Sequence, residues 1–176
     1  MAGPSSAHVA LRAATARRHE EVDSRFGGFD LSDRAGYAAF LTAHARALPA
    51  VERALEGASG LPALRPRTDL LRQDLAALGE ALPQPLGLPL PADQAEAFGY
   101  AYVIEGSRLG GAMLARSVPE SLPRAYLSAA HLAGEWRAFS TALDSAAQAG
   151  GGAWLDRATA AADRVFALYA HAANPT

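Results

Sequence analysis

The chain has 176 residues, enough for one domain that buries a core of its own. Sixteen basic residues stand against eighteen acidic ones, so no basic footprint for nucleic acid is present. Cysteine is absent, which excludes disulfides, thiolate metal sites and a cysteine nucleophile.

The N-terminus, MAGPSSAHVALRAA, lacks the basic region and continuous apolar run of a signal peptide. No stretch approaches the roughly 20 apolar residues of a membrane span, so a cytoplasmic protein with no membrane partner is expected. Alanine and leucine dominate, β-branched residues are scarce, and apolar positions recur at three- and four-residue spacing; the pattern predicts an all-α fold. A first helix is expected from Ser6 to Arg25, ending at the Gly27-Gly28 pair. Ser32 is the expected cap of a long second helix, SDRAGYAAFLTAHARALPAVERALEG, which Pro49 bends or breaks. Thr68 is the expected cap of a third, TDLLRQDLAALGE. Leu82–Pro91 holds four prolines in ten residues and cannot be helical; it reads as a connector inside one domain spanning 1–176. A fourth helix follows from Ala92 to Arg116, stopped by Val118-Pro119. A fifth is expected from Leu122 to Gln148 with an interruption at Gly134, and the Gly150–Gly152 run separates it from a sixth, Trp154 to Ala172.

The chemistry gathers on two of these segments. In LRAATARRHEEVD, Leu11–Asp23, helical spacing brings Arg12, Thr15, His19 and Asp23 to a common face. A neutral imidazole is the commonest protein ligand for a metal, and a carboxylate one turn away can hold its second ring nitrogen. Arg12 adds a cation on the order of 10 Å along the axis from His19. A surface histidine with charged neighbours is the plainer reading of the same stripe. The fourth helix, AYVIEGSRLGGAMLAR, carries Gly106, Gly110 and Gly111 in its interior. Each costs about 0.8–1.0 kcal/mol relative to alanine, so something wants bare backbone there. Gly106 and Gly110 share a face with Tyr102, and either tight helix packing or close approach to a flat ligand would account for them.

With both segments in view the chain resembles a heme oxygenase of the bacterial type associated with bacteriophytochromes. LRAATARRHEEVD is similar to the family's proximal helix, RTDLLRQDL to an internal helix of the fold, and YVIEGSRLGGAML to the distal helix; coverage runs from about residue 9 to 172. The resemblance implies a heme-oxygenase-like helical bundle with heme between the first helix and the glycine-bearing one. By the same resemblance His19 is the proximal iron ligand, Asp23 its supporting carboxylate, and Arg12 a propionate partner. Thr15 lies on the same heme-facing stripe. Arg137, in GEWRAF, falls near a second propionate position and reads equally as a solvated helix arginine. Gly106, Gly110 and Gly111 match the distal glycines, and Tyr102 lies near a family tyrosine by the propionates. Phe166 is a pocket wall or core packing. Mammalian-type members carry an aspartate just after the first distal glycine; here Ser107 stands there, a hydroxyl that hydrogen-bonds water without supplying charge.

The activity implied is cleavage of heme, both cofactor and substrate, to biliverdin, carbon monoxide and ferrous iron. It consumes O2 and electrons from an external reductase or ferredoxin, since the chain carries no GxGxxG fingerprint. A bacteriophytochrome is the biliverdin acceptor that the relatives suggest. The alternative is a heme carrier or sensor on the same fold, without turnover. A heme-free bundle enzyme of the thiaminase kind would need the missing cysteine. His8, His44, His131 and His171 are the other histidines, each read as a surface or core residue.

Overall fold

The computed structural model describes residues 6–174, and these form five α-helices with no strand among them. The first, α1, runs Ala7–Phe26, capped by Ser6, whose hydroxyl accepts from the Val9 N–H. The second, α2, spans Arg34–Leu55 and is capped by Asp33, which accepts from Gly36, instead of by Ser32. Ser32 bonds Asp30. Pro49 neither breaks nor ends α2, which passes through it. Its neighbours Ala47, Leu48, Ala50 and Val51 are all buried, so packing outweighs the lost backbone bond.

Helix α3 is Thr68–Ala77, and no side chain of its own caps it. Glu52 of α2 does so from a distance, accepting the backbone N–H groups of Arg67 and Thr68 and the Thr68 hydroxyl. Residues 82–91 are non-helical, as the prolines require, and the Leu86 N–H donates to the Arg46 carbonyl of α2. Helix α4 is Gln94–Leu114, running into a short 3₁₀ turn at Ala115–Ser117.

The expected helix from Leu122 is absent until Glu135. Side chains from elsewhere occupy the backbone groups that a helix would have paired internally. Asp74 accepts the N–H groups of Ala125 and Tyr126, the Tyr37 hydroxyl donates to the Pro123 carbonyl, and Arg108 and Arg65 donate to the carbonyls of Ala129 and Ala130. Helix α5, Glu135–Ala172, begins after a left-handed Gly134 and kinks at Gly151, which has φ 70° and ψ −166°. The two helices expected on either side of the glycine run are thus the two halves of α5.

Helices α1 and α4 each pack along α5, and α2 packs against α3, α4 and α5. At Gly99 of α4 an added Cβ would run into the carbonyl of Ala158, so that crossing is backbone on backbone. Helices α1 and α4 lean on α5 and hardly touch each other. That divergence positions the site.

Candidate functional site

Helix α1 buries Ala7, Leu11, Thr15 and Phe26 against the core, which turns the next column of residues outward. His19 is in that column, its side chain 62% exposed, with Nδ1 3.0 Å from Asp23 Oδ2. The imidazole therefore donates its Nδ1–H to the carboxylate and leaves Nε2 unspent. Phe166 of α5, itself buried, packs edge-on against the ring at 5.8 Å between centroids and fixes its tilt. Thr15 is buried and its hydroxyl donates to the Leu11 carbonyl at 2.8 Å.

Tyr102 is where α1 and α4 meet. Its ring lies edge-on to His8 with centroids 6.0 Å apart, and its hydroxyl lies beside Thr15 in the field of Arg12. Burial pushes that hydroxyl's pKa up. His19 lies one turn beyond this meeting point on α1, and Gly106 one turn beyond it on α4. A Cβ added at Gly106 or at Gly110 would meet nothing within 4 Å, so neither glycine serves helix packing. The same face continues through Leu109 and Met113, 54% and 72% exposed. Two turns of α4 thus present bare backbone and apolar side chains that no described residue covers.

Gly111 behaves differently and matches the packing alternative. Its Cβ would sit 2.9 Å from the Leu127 carbonyl, so this glycine permits close packing of α4 on the 122–133 segment. Ser107 is already engaged by protein as both donor and acceptor. Its hydroxyl donates to the Ile104 carbonyl at 2.7 Å and accepts from Arg67 Nη2 at 2.8 Å, which leaves it no proton for a water. Arg12 and Arg137 are exposed and form no ion pair or hydrogen bond among the described residues.

Sequence reasoning missed the polar groups behind α4. Arg67 is 3% exposed, and Nη2 donates to the Ile104 carbonyl as well as to Ser107. Glu105 is shared between Arg108 Nε at 3.2 Å and His131 Nε2 at 2.9 Å, all three buried side chains. His44 accepts or donates through Nδ1 to the Tyr126 hydroxyl at 2.8 Å. Arg67 and Asp74 both lie in the quoted segment RTDLLRQDL, so their presence was visible; that they point inward was not. Two cavities of about 290 and 280 Å³ also lie on this hidden side, where both touch Glu105 and the 62–65 loop.

Among the described residues no three His, Asp or Glu side chains converge on one point. A metal at His19 would have to bring its other ligands with it, as a porphyrin does. The free Nε2, the bare apolar face and the unneutralised Arg12 fit a heme: one axial donor, room for a flat ring, and a cation for an acidic edge.

No family model matches the chain. A heme oxygenase from Xanthomonas campestris pv. campestris (strain 8004) is 36% identical over 118 residues, covering 61% of this chain and 65% of that protein, just under two thirds of its length. The NO- and CO-bound heme oxygenase of Neisseria meningitidis superposes with a TM-score of 0.79 at 26% identity, covering 96% of this chain and 90% of that one. The whole helical framework thus agrees with that of one bacterial heme oxygenase, and more than a third of the aligned residues are identical in another.

Proposed function

We propose that the chain cleaves heme to biliverdin, carbon monoxide and ferrous iron, with O2 as oxidant and electrons from a separate reductase or ferredoxin. The observation that carries this reading is the unspent Nε2 of His19, one turn past the meeting of Thr15 with Tyr102, with the glycine face one turn past it on α4. When bound, heme supplies the iron that takes up oxygen and the ring that is oxidised.

The remaining work falls to the chain. Asp23 keeps His19 in the tautomer with Nε2 free, as a neutral donor that lacks the strong electron push of a thiolate. Phe166 stops the imidazole from swinging. Gly106 and Gly110, with open space over them, would let a bound heme approach the α4 backbone closely. Arg12 and Arg137 are the cations assigned to the propionates; such charge-assisted contacts contribute about 1.5–3 kcal/mol each and set the ring's rotation. A cytoplasmic setting and a bacteriophytochrome as acceptor of biliverdin accompany this reading.

Titration with heme tests it. The wild type should give a histidine-ligated Soret band at one equivalent, and ascorbate with O2 should convert it to a biliverdin band. His19→Ala should lose that ligation and turnover. An unchanged spectrum in His19→Ala would remove His19 as the ligand, and a stable Soret band without biliverdin would favour the carrier reading.

A further inference from the structure

Helices α1 and α4 hardly touch, so something other than their own packing sets the distance between them. A circuit of side chains leaves one turn of α4 at Glu105 and returns to it at Tyr102. Glu105, 6% exposed, immediately precedes Gly106. Its Oε1 is spent within α4 on Arg108 Nε at 3.2 Å, and its Oε2 reaches off the helix to His131 Nε2 at 2.9 Å. The carboxylate accepts, so His131 donates. The His131 ring lies against Trp136 at the start of α5, with centroids 5.4 Å apart. Trp136 also meets His8 of α1 edge-on at 5.2 Å, and His8 meets Tyr102 edge-on at 6.0 Å. Tyr102 is back on α4, one turn before Gly106. Arg108 ties α4 to the carbonyls of Ala129 and Arg65, both in non-helical segments. His131 is the residue that carries the tie on to α5 and α1.

We propose that His131 is a positioning residue for the heme slot: by joining Glu105 to the Trp136, His8 and Tyr102 rings, it fixes how far α4 stands from the start of α1. The inference rests on the heme reading above and deepens it, because that spacing sets how bulky a ligand the glycine face admits. His131 acts through Glu105 and Trp136 and is not itself a ligand.

Two variants cut one link each. His131→Phe keeps a ring against Trp136 and loses the bond to Glu105; His131→Gln keeps a donor for Glu105 and loses the ring. Their ferrous heme complexes are titrated with methyl isocyanide and tert-butyl isocyanide, which share charge and ligating atom and differ in bulk. Each variant should shift the affinity ratio by about threefold or more in favour of the tert-butyl ligand, with heme still bound at one equivalent. Arg164→Gln cuts the bond to Glu96 and the contact with Tyr100 nearer the start of α4; it is the control for lost stability alone and should keep the wild-type ratio. In the heme-free protein, amide exchange over 103–109 should quicken in both His131 variants and stay at the wild-type rate in Arg164→Gln. An unchanged ratio in either folded His131 variant, or an equal shift in Arg164→Gln, would overturn the inference. If one His131 variant does not fold, the other decides. A wild type that forms no Soret band would instead fell the heme reading itself, and amide exchange would then decide the tie alone.

Discussion

His44 is ringed by Phe40, Phe26, Tyr126 and Tyr169, with centroids 4.5, 4.7, 5.2 and 5.6 Å from its own. Burial among these rings, reinforced by the Arg67 charge, brings its pKa down from 6.5 to about 3. The folded protein thus refuses a proton that the unfolded chain accepts. This contribution to stability is complete above about pH 6.5 and drains away as pH falls towards 3, by up to about 1.4 kcal/mol per pH unit. His44→Phe should therefore flatten the loss of stability between pH 6.5 and 5, read from urea midpoints. An acid limb as steep as that of the wild type would show that His44 does not control it. Ser107 gives the complementary lesson at this scale. As a residue type it promises a donor to water, and the fold has already committed that proton to Ile104.

At the scale of the element, α4 is weak by composition and braced from behind. Its interior glycines lower its intrinsic helicity, while Glu105 and Arg108 anchor it through His131, the Ala129 carbonyl and the Arg65 carbonyl. The two kinds of glycine are separable by alanine. Gly106→Ala meets open space and should stabilise the heme-free protein by up to about 1 kcal/mol. Gly111→Ala drives a methyl towards the Leu127 carbonyl and should destabilise it by about 1–3 kcal/mol. Thermal unfolding of the two variants gives opposite shifts if this account is right, and shifts of one sign would contradict it. Gly110→Leu should leave folding intact and impair heme uptake. Helix ends divide in the same way. Asp33 caps α2 from within its own sequence, one residue from the expected Ser32, whereas the cap of α3 comes from Glu52 on another helix.

Across the molecule, α5 is the frame on which the slot is built. Its first half accepts the Ala7 N–H at Asp144 and so holds the start of α1 at 2.7 Å; its second half places Phe166 under His19 and gives the Ala170 carbonyl to Arg25 near the end of α1. The Gly151 kink sets the angle between the halves, and with it the path of α1 past α4. A side chain at φ 70° and ψ −166° is strained, so Gly151→Ala should cost about 1–3 kcal/mol in urea unfolding. Gly152→Ala, with no positive φ and open space around it, is the control and should cost nothing. Equal effects of the two would mean that the kink is not held by Gly151's backbone conformation.

Periodicity and local chemistry were enough for the helical class and for the pairing of His19 with Asp23 one turn apart on α1. Helical spacing is a property of neighbours in the chain, and the His19–Asp23 pair needs only one turn of helix to form. Tertiary structure decided what depends on distant groups. It turned Gly111 into a packing residue through Leu127, unwound the start of the expected fifth helix through Asp74 and Tyr37, and tied Ser107 to Arg67, 40 residues away. The physical reason is common to all three. A buried polar group or a bare backbone takes its partner from whatever the fold brings within reach, and sequence spacing beyond one turn does not specify that neighbour.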